Sequence, residues 1–408
     1  MKFKLIVTVL AFLLVLIACR RSAVISTDKN VYNVSIDQCK DNIDLKLSDL
    51  ISECRLIPLE TTDESVLNQN LRIIALANIF LVGDISGIYK FTQEGKFIKK
   101  LLNVGRGPSD IPQSYTYFVN EKNNQIILNG RYQNEELRVY DYKAEKFLDP
   151  IKKAVPGYWG EFTIYNDSLI LASLNPVLAD SSLYELFLQN FRGQIVSSIA
   201  KGRKMMSTRK GETVQRLQVC IGKPDTYVHY IYDDTLFKYN DNKLTPYVIV
   251  SYNTSRTFLR GTYSQEGERW LNYPSVQNSK FMLFYELTFL GTTPNQMAGV
   301  SFNYTQNYFF LKKSNSSLSR IRTYTDNITG KVQEGSGDFP IIGRSSIIPG
   351  IMQGDRLFVT YEASILKTLK PDSELLRDMP AGTTDQLQTI LKNIKEMDNP
   401  VLLIGTLK

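Results

Sequence analysis

Between Ile73 and Pro108, apolar and polar positions follow the two-residue period of half-buried strands, interrupted by turns. Residues 79–82 are a short apolar run, 84–87 a turn, and 87–91 an alternating run. Gln93-Glu94-Gly95-Lys96 is a hairpin turn into a further run over 97–101, and Gly105, Gly107 and Pro108 close the unit. The stretch predicts one four-stranded antiparallel sheet. Such a sheet is too small to bury its apolar face alone, so several must pack together.

Weaker copies follow toward the C-terminus. The second unit runs through 125–130, 136–142 and 145–150; the third through 167–171, 184–190 and 195–199, with a turn at 191–194. The fourth takes in 227–231, 236–239 and 247–250, the fifth 280–290, 307–312 and 319–324, and the last 355–361 and 365–369. Their spacing varies because loops such as 201–218 and 253–279 are inserted. Leu387, Ile390, Leu391 and Ile394 recur at helical spacing within 384–397, and a final strand is expected over 401–407. A strand after the last unit suits a closed ring in which one sheet is completed from both chain ends, leaving few exposed edges.

Before residue 51 the pattern loosens. Residues 22–45 are polar, as a tether is; a short helical turn is expected at 48–51, and 54–61 reads as a strand entering the domain. The first eighteen residues are a targeting segment, with Lys2 and Lys4 before an apolar stretch at 5–17 that is too short for a comfortable membrane span. It ends in Leu16-Ile17-Ala18-Cys19, which resembles the bacterial lipobox, where the Cys thiol receives diacylglycerol and becomes the new N-terminus. An ordinary secretory signal beside a chance cysteine is the alternative. Two or three acyl chains anchor a protein stably where one holds it marginally. The expectation is therefore a membrane-attached protein held through Cys19. Arg20-Arg21-Ser22 follows, with no Asp next to the cysteine and no acidic run, which favours the outer membrane facing the periplasm and the cell surface second. The chain then divides into a signal at 1–18, a tether at 19–50 and the ring at 51–408.

Composition fits this division. The sequence is 43% hydrophobic with 23 Tyr and 20 Phe, a tilt toward residues that suit pleated, half-buried surfaces. Its net charge of +7 falls to +5 once Lys2 and Lys4 are removed, too weak a bias to imply nucleic acid. Cys39, Cys54 and Cys220 remain; an oxidising compartment permits a disulfide, with Cys39 and Cys54 the nearest pair, or all three are small buried hydrophobes.

With these residues in hand, the chain resembles the six-bladed β-propeller lipoproteins of Bacteroidota, a family of largely unknown function similar to NHL-type propellers. The matching stretches are Cys54-Arg55-Leu56-Ile57-Pro58-Leu59-Glu60-Thr61, Ile79-Phe80-Leu81-Val82 with Asp84, and Phe91 through Gly95-Lys96-Phe97-Ile98. Gly105-Arg106-Gly107-Pro108 and Asn399-Pro400-Val401-Leu402 complete them. Ser109-Asp110-Ile111 departs from the Gly-Glu-Tyr that the resemblance leads one to expect. The resemblance implies an all-β fold, a six-bladed propeller of four-stranded blades with a short C-terminal helix before a closing strand. It supplies no catalytic residues.

The candidate chemistry is sparse. A single histidine, His229, rules out zinc sites built on two or three histidines, and its strand context at 227–231 suits packing as well as a proton shuttle. Neither a Gly-x-Ser-x-Gly elbow nor a Walker-type Gly-Lys-Ser/Thr is present, which argues against nucleophilic hydrolysis and nucleotide chemistry. Gly105-Arg106-Gly107-Pro108 can aim N–H groups and an Arg at an anion, or is a tight turn between blades. Asp84, Asp167, Asp233 and Asp234 can gather around Ca²⁺, or are ordinary turn residues. Tyr158 and Trp159, with Arg106, Arg131 and Tyr132, can stack on a sugar or grip a peptide if exposed; packing between blades is the other reading. The basic stretch 201–210 reads as a solvated loop, or as a contact for anionic lipid. The leading expectation is a non-catalytic binding or scaffold module for a glycan, peptide or envelope protein, without a cofactor. A Ca²⁺-dependent lactonase-like or lyase-like enzyme is the alternative.

Overall fold

The computed structural model describes residues 31–68, 71–107, 109–112, 115–130, 135–157, 159–174, 184–200, 217–221, 226–230, 234–240, 242–251, 269–272, 278–295, 299–340 and 350–408. Six sheets form among them. The chain begins with β1 (Tyr32–Ser35), β2 (Asn42–Lys46), the one-turn helix α1 (Leu47–Leu50) and β3 (Ile51–Pro58). Blade 1 is β4 (Arg72–Ala75), β5 (Ile79–Gly83), β6 (Gly87–Thr92) and β7 (Phe97–Asn103). Blade 2 is β8 (Tyr115–Asn120), β9 (Gln125–Gly130), β10 (Glu136–Asp141) and β11 (Lys146–Lys152). Blade 3 is β12 (Trp159–Tyr165), β13 (Leu169–Leu174), β14 (Tyr184–Asn190) and β15 (Ile195–Ala200).

Blade 4 is β16 (Leu217–Ile221), β17 (Thr226–Tyr230), β18 (Thr235–Asn240) and β19 (Lys243–Ser251). Blade 5 is β20 (Arg269–Asn272), β21 (Phe281–Asn295), β22 (Gly299–Lys312) and β23 (Ser317–Thr325), extended by β24 (Val332–Glu334) and β25 (Ser336–Pro340). Blade 6 joins β26 (Ile351–Gln353), β27 (Arg356–Tyr361) and β28 (Val401–Leu407) to β3. Three helices interrupt it: α2 (Ala363–Lys367), α3 (Ser373–Arg377) and α4 (Thr383–Asn393).

The packing explains why the first blade was so legible. In β5, Phe80, Leu81 and Val82 are all fully buried. Leu81 packs into the core shared with blade 2, whereas Phe80 and Val82 pack against Phe358, Leu402 and Ile404 of blade 6. A blade lies between two others, so both faces of its middle strands are apolar. Glycines mark close approaches: at Gly95, with φ of +81°, an added Cβ would stand 2.2 Å from Pro58 O. At the inner strands, Ala75 N donates to Gln353 Oε1 and Gln353 Nε2 to Ala75 O, both at 2.8 Å, which joins blades 6 and 1. The ring closes where β28 pairs antiparallel with β3, from Val401↔Pro58 to Leu407↔Ile51. Antiparallel alternation puts the blade-to-blade connectors on the same side as the loops between second and third strands.

Several expectations are corrected. Residues 32–46 are not tether: β1 adds parallel to β19 and β2 parallel to β23, giving blades 4 and 5 an extra outer strand. Residues 365–369, read as a strand, fall largely in α2, because Leu366 turns inward onto the core beneath the helical segment. The terminal helix runs over Thr383–Asn393 rather than 384–397 and has two short companions. It shields the rim, since Leu56 N donates to Gln386 Oε1 at 2.9 Å and satisfies an edge group of β3. The fourth unit gains an innermost strand, β16, that pattern alone did not show.

Candidate functional site

The loops on the connector side carry most of the sequence candidates. In the connector from β7 to β8, Gly105 N donates to Ile111 O at 3.0 Å and Ile111 N to Asn103 O at 2.8 Å, which folds the loop back on itself. Gly107 N donates to Asp110 Oδ2 at 2.7 Å. A Cβ at Gly105 would stand 2.3 Å from that same oxygen, so a larger residue there would displace the Asp110 carboxylate. The loop does cradle a carboxylate, and the carboxylate is its own Asp110. Arg106 is exposed. Arg138, packed 4.0 Å over the Phe147 ring, donates to Asp110 O. The Ser109-Asp110-Ile111 departure thus has a structural role, with Ile111 fully buried between blades 1 and 2.

Asp84 sits at the turn from β5 to β6 and is 6% exposed. Burial acts to raise its carboxyl, but donors outweigh it and hold the group below the usual carboxylate range. They are Asn68 N and Ser86 N and Oγ at 2.8 Å, Gly87 N at 3.0 Å and Asn68 Nδ2 at 3.1 Å. Five donors saturate the lone pairs a cation would need. Asp167 lies in a left-handed turn (φ 56°) and makes an exposed ion pair with Lys122 at 3.9 Å; Asp234 accepts from Thr235 Oγ1 at 3.2 Å. Asp233 lies outside the described residues. Asp84, Asp167 and Asp234 are on different blades, and among the described residues no three His, Cys, Asp or Glu gather in a metal-holding group.

Trp159 is fully buried, which corrects its place among exposed ligand-binding aromatics. Its ring packs edge-on against Phe162 and Phe187 at 6.1 and 5.3 Å, and its Nε1 donates to Val155 O at 2.9 Å. Above the ring at 5.5 Å stands Lys153, itself 1% exposed, whose ammonium donates to Asn129 Oδ1 at 2.9 Å and Gly157 O at 3.1 Å. Burial pushes Lys153 from 10.5 down to about 8. Because the folded value is lowered, the unfolded chain holds the extra proton between the two, and Lys153's contribution to stability rises as pH climbs through that window. Lys153→Met is expected to remove roughly 2 kcal/mol of the gain between about pH 8 and 10.5. Urea unfolding of both proteins at the two ends of the window measures it; parallel pH curves would refute it.

His229 is buried in β17 opposite Leu236 and Gln218. Cys39 and Cys54 are unpaired thiols, Cys39 Sγ lying 3.3 Å from Leu318 O and Cys54 Sγ 3.0 Å from Thr383 Oγ1. Cys19, Tyr132, Tyr158, Arg131 and residues 201–210 lie outside the described residues, as does the side chain of Cys220.

Pattern reading missed a cluster around Asn399, whose Asn-Pro signal is short. Asn399 Nδ2 donates to Glu60 O at 2.8 Å and Ser65 O at 2.7 Å, its Oδ1 accepts from Leu67 N at 2.9 Å, and its N–H donates to Thr61 Oγ1 at 2.6 Å. The loop so held is clipped by Asn68 to Asp84 and Ser86 of the next turn. On these linked loops stand three exposed aliphatic side chains, Val66 at 57%, Ile85 at 66% and Met397 at 86%. Apolar groups on pre-ordered loops can bind a partner with little ordering cost.

A family model described as "Domain of unknown function (DUF4934)" matches residues 31–406. Among solved structures, a Bacteroides fragilis protein inferred to be exported aligns at a TM-score of 0.60 with 15% identity, covering 93% of this chain and 99% of that one. That likeness speaks to the fold. U3-55K (TM-score 0.38, 8% identity, covering 86% of this chain and 98% of that one) and Kuenenia stuttgartiensis hydrazine synthase (0.34, 12%, 85% and 90%) are too distant to carry an argument. No curated protein matches the sequence.

Proposed function

The chain belongs to the DUF4934 family, and on that premise we propose that it is an exported, non-catalytic binding module, acylated at Cys19, that holds an envelope protein. The observation that carries this reading is the exposure of Val66, Ile85 and Met397 on loops that hydrogen bonds tie to one another. Aliphatic side chains favour a protein partner over a sugar, which stacks on aromatic rings, and Trp159 is withdrawn into the fold. The exported neighbour from Bacteroides fragilis supports an extracytoplasmic location, and the lipobox-like Leu16-Ile17-Ala18-Cys19 supports attachment to the outer membrane, on its periplasmic face.

Two experiments test the two halves. Photo-crosslinkers at positions 66, 85 and 397 in intact cells are expected to give one shared protein adduct absent at position 332; adducts equal at all four sites, or none, would overturn the surface. Cys19→Ser is expected to abolish fatty-acid labelling and release the protein from the membrane fraction, and persistent labelling would refute the anchor. Stoichiometric Ca²⁺ in the purified protein would favour the metal-dependent enzyme instead.

A further inference from the structure

The turn between β23 and β24 ties four parts of the chain together. Asp326 accepts at one carboxylate oxygen from Ile328 N at 2.9 Å and Thr329 N at 3.1 Å, and at the other from the Tyr361 hydroxyl of β27 at 3.0 Å. Asn327, next in sequence, reaches the other way. Its Oδ1 accepts from Ser48 N of α1 at 3.0 Å, and its Nδ2 donates to Leu375 O of α3 at 2.7 Å. Blade 5, blade 6, the N-terminal segment and the helical connection between β27 and β28 thus meet at two adjacent side chains, 3% and 1% exposed.

The carboxylate is poorly provided for. Among the described residues no lysine or arginine pairs with it, and the titratable groups that face it, Tyr324 of β23 and Tyr361, stay neutral because burial pushes both phenols up. The Tyr324 hydroxyl is buried without a hydrogen bond among the described residues. Beyond Tyr361 lies the Cys54 thiol of β3, which burial also pushes up. The charged residues of the surrounding elements, such as Asp49 on α1, Glu374 and Arg377 on α3, Arg356 on β27 and Lys331 on the turn, are exposed. Burial outweighs the donors and raises the Asp326 carboxyl above its ordinary value, the opposite of Asp84 with its five donors.

We infer that the Asp326-Asn327 turn is a pH-sensitive latch, holding α1 and α3 onto the seam of blades 5 and 6 in acid and letting them go as pH rises. An ionised carboxylate is better solvated once the turn swings out to water, and Asn327 must leave with it. The latched form keeps a proton that the opened form gives up, so the latch is strongest below the ordinary carboxylate value and weakens as pH climbs through the raised one. The connection between β27 and β28 also carries Met397, so the latch regulates the binding face, a consequence that rests on the function proposed above.

Hydrogen exchange on the full chain without a partner tests the latch, and its outcome is independent of the crosslinking. Protection of the Ser48, Ile328 and Leu376 amides, corrected for intrinsic rates, is expected to fall about ten-fold from about pH 4 to about pH 7, while that of Phe80, Leu81 and Val82 in β5 stays unchanged. Asp326→Asn keeps the size but cannot ionise, and it is expected to flatten the response. Tyr361→Phe removes a donor to the carboxylate and is expected to deepen it. Equal protection at both pH values in wild type, or the same fall in Asp326→Asn, would overturn the inference. A Tyr361→Phe response no deeper than that of wild type would overturn it too.

Discussion

Replacing Asn399 with leucine is expected to lower stability by about 3–5 kcal/mol, and the melting temperature by about 5 °C for a domain of this size. The side chain is 3% exposed and serves three backbone groups, Glu60 O, Ser65 O and Leu67 N. Leucine has the same branching but more bulk and pairs with none of them, so Ser65 O and Leu67 N lose their partner, each costing about 1–3 kcal/mol without full additivity, while Glu60 O keeps the Ser65 hydroxyl at 2.8 Å. Asn399→Asp is the informative companion. It keeps the acceptor for Leu67 N, loses both donors and turns a buried negative group toward Glu60 O and Ser65 O. It is expected to cost at least as much at neutral pH and to recover partly in acid. Calorimetry at about pH 5 and 7 measures both; a leucine variant within about 1 kcal/mol of wild type would show that water replaces the amide.

Trp159→Ala is expected to cost about 3–5 kcal/mol, in the range found for truncating a buried aromatic. The indole fills the wall between blades 2 and 3, touching Phe162 and Phe187, and also forms the floor beneath the Lys153 ammonium. Alanine leaves a cavity, frees Val155 O and removes the ring face from a buried charge. Trp159→Phe keeps most of the packing and loses the N–H, so it is expected to cost about 1–2 kcal/mol. Urea unfolding separates the two, and equal losses would mean that the hydrogen bond, not the ring, fixes the connector.

What was legible in the sequence was local. Residues 79–101 declare their strands because a Glu94-Gly95 turn separates alternating runs and both flanking blades demand apolar faces. β1 and β2 escaped notice because they are four and five residues long and pair in parallel with strands more than 200 positions away, so no nearby turn announces them. Ile365, Leu366 and Leu369 read as a strand because a short apolar run fits either period until its neighbours are known. The candidate site was less legible still. Whether Gly105-Arg106-Gly107 faces a ligand depended on Asp110 turning its carboxylate into the loop, and whether Trp159 is a platform or a filler depended on Phe187 arriving from β14, two strands further along the same blade. Charge and residue type do not encode such long-range contacts.

The seam between β3 and β28 also sets an order of events. Residues 51–58 must meet residues 401–407, so the seal cannot form until nearly 350 intervening residues have been synthesised, on the order of tens of seconds at ribosomal rates. Bringing such distant ends together costs about 5 kcal/mol of chain entropy, regained only when the last pairing locks. Until then β3 has no β28 to pair with, and a C-terminal truncation of even one strand would hold every chain at that stage.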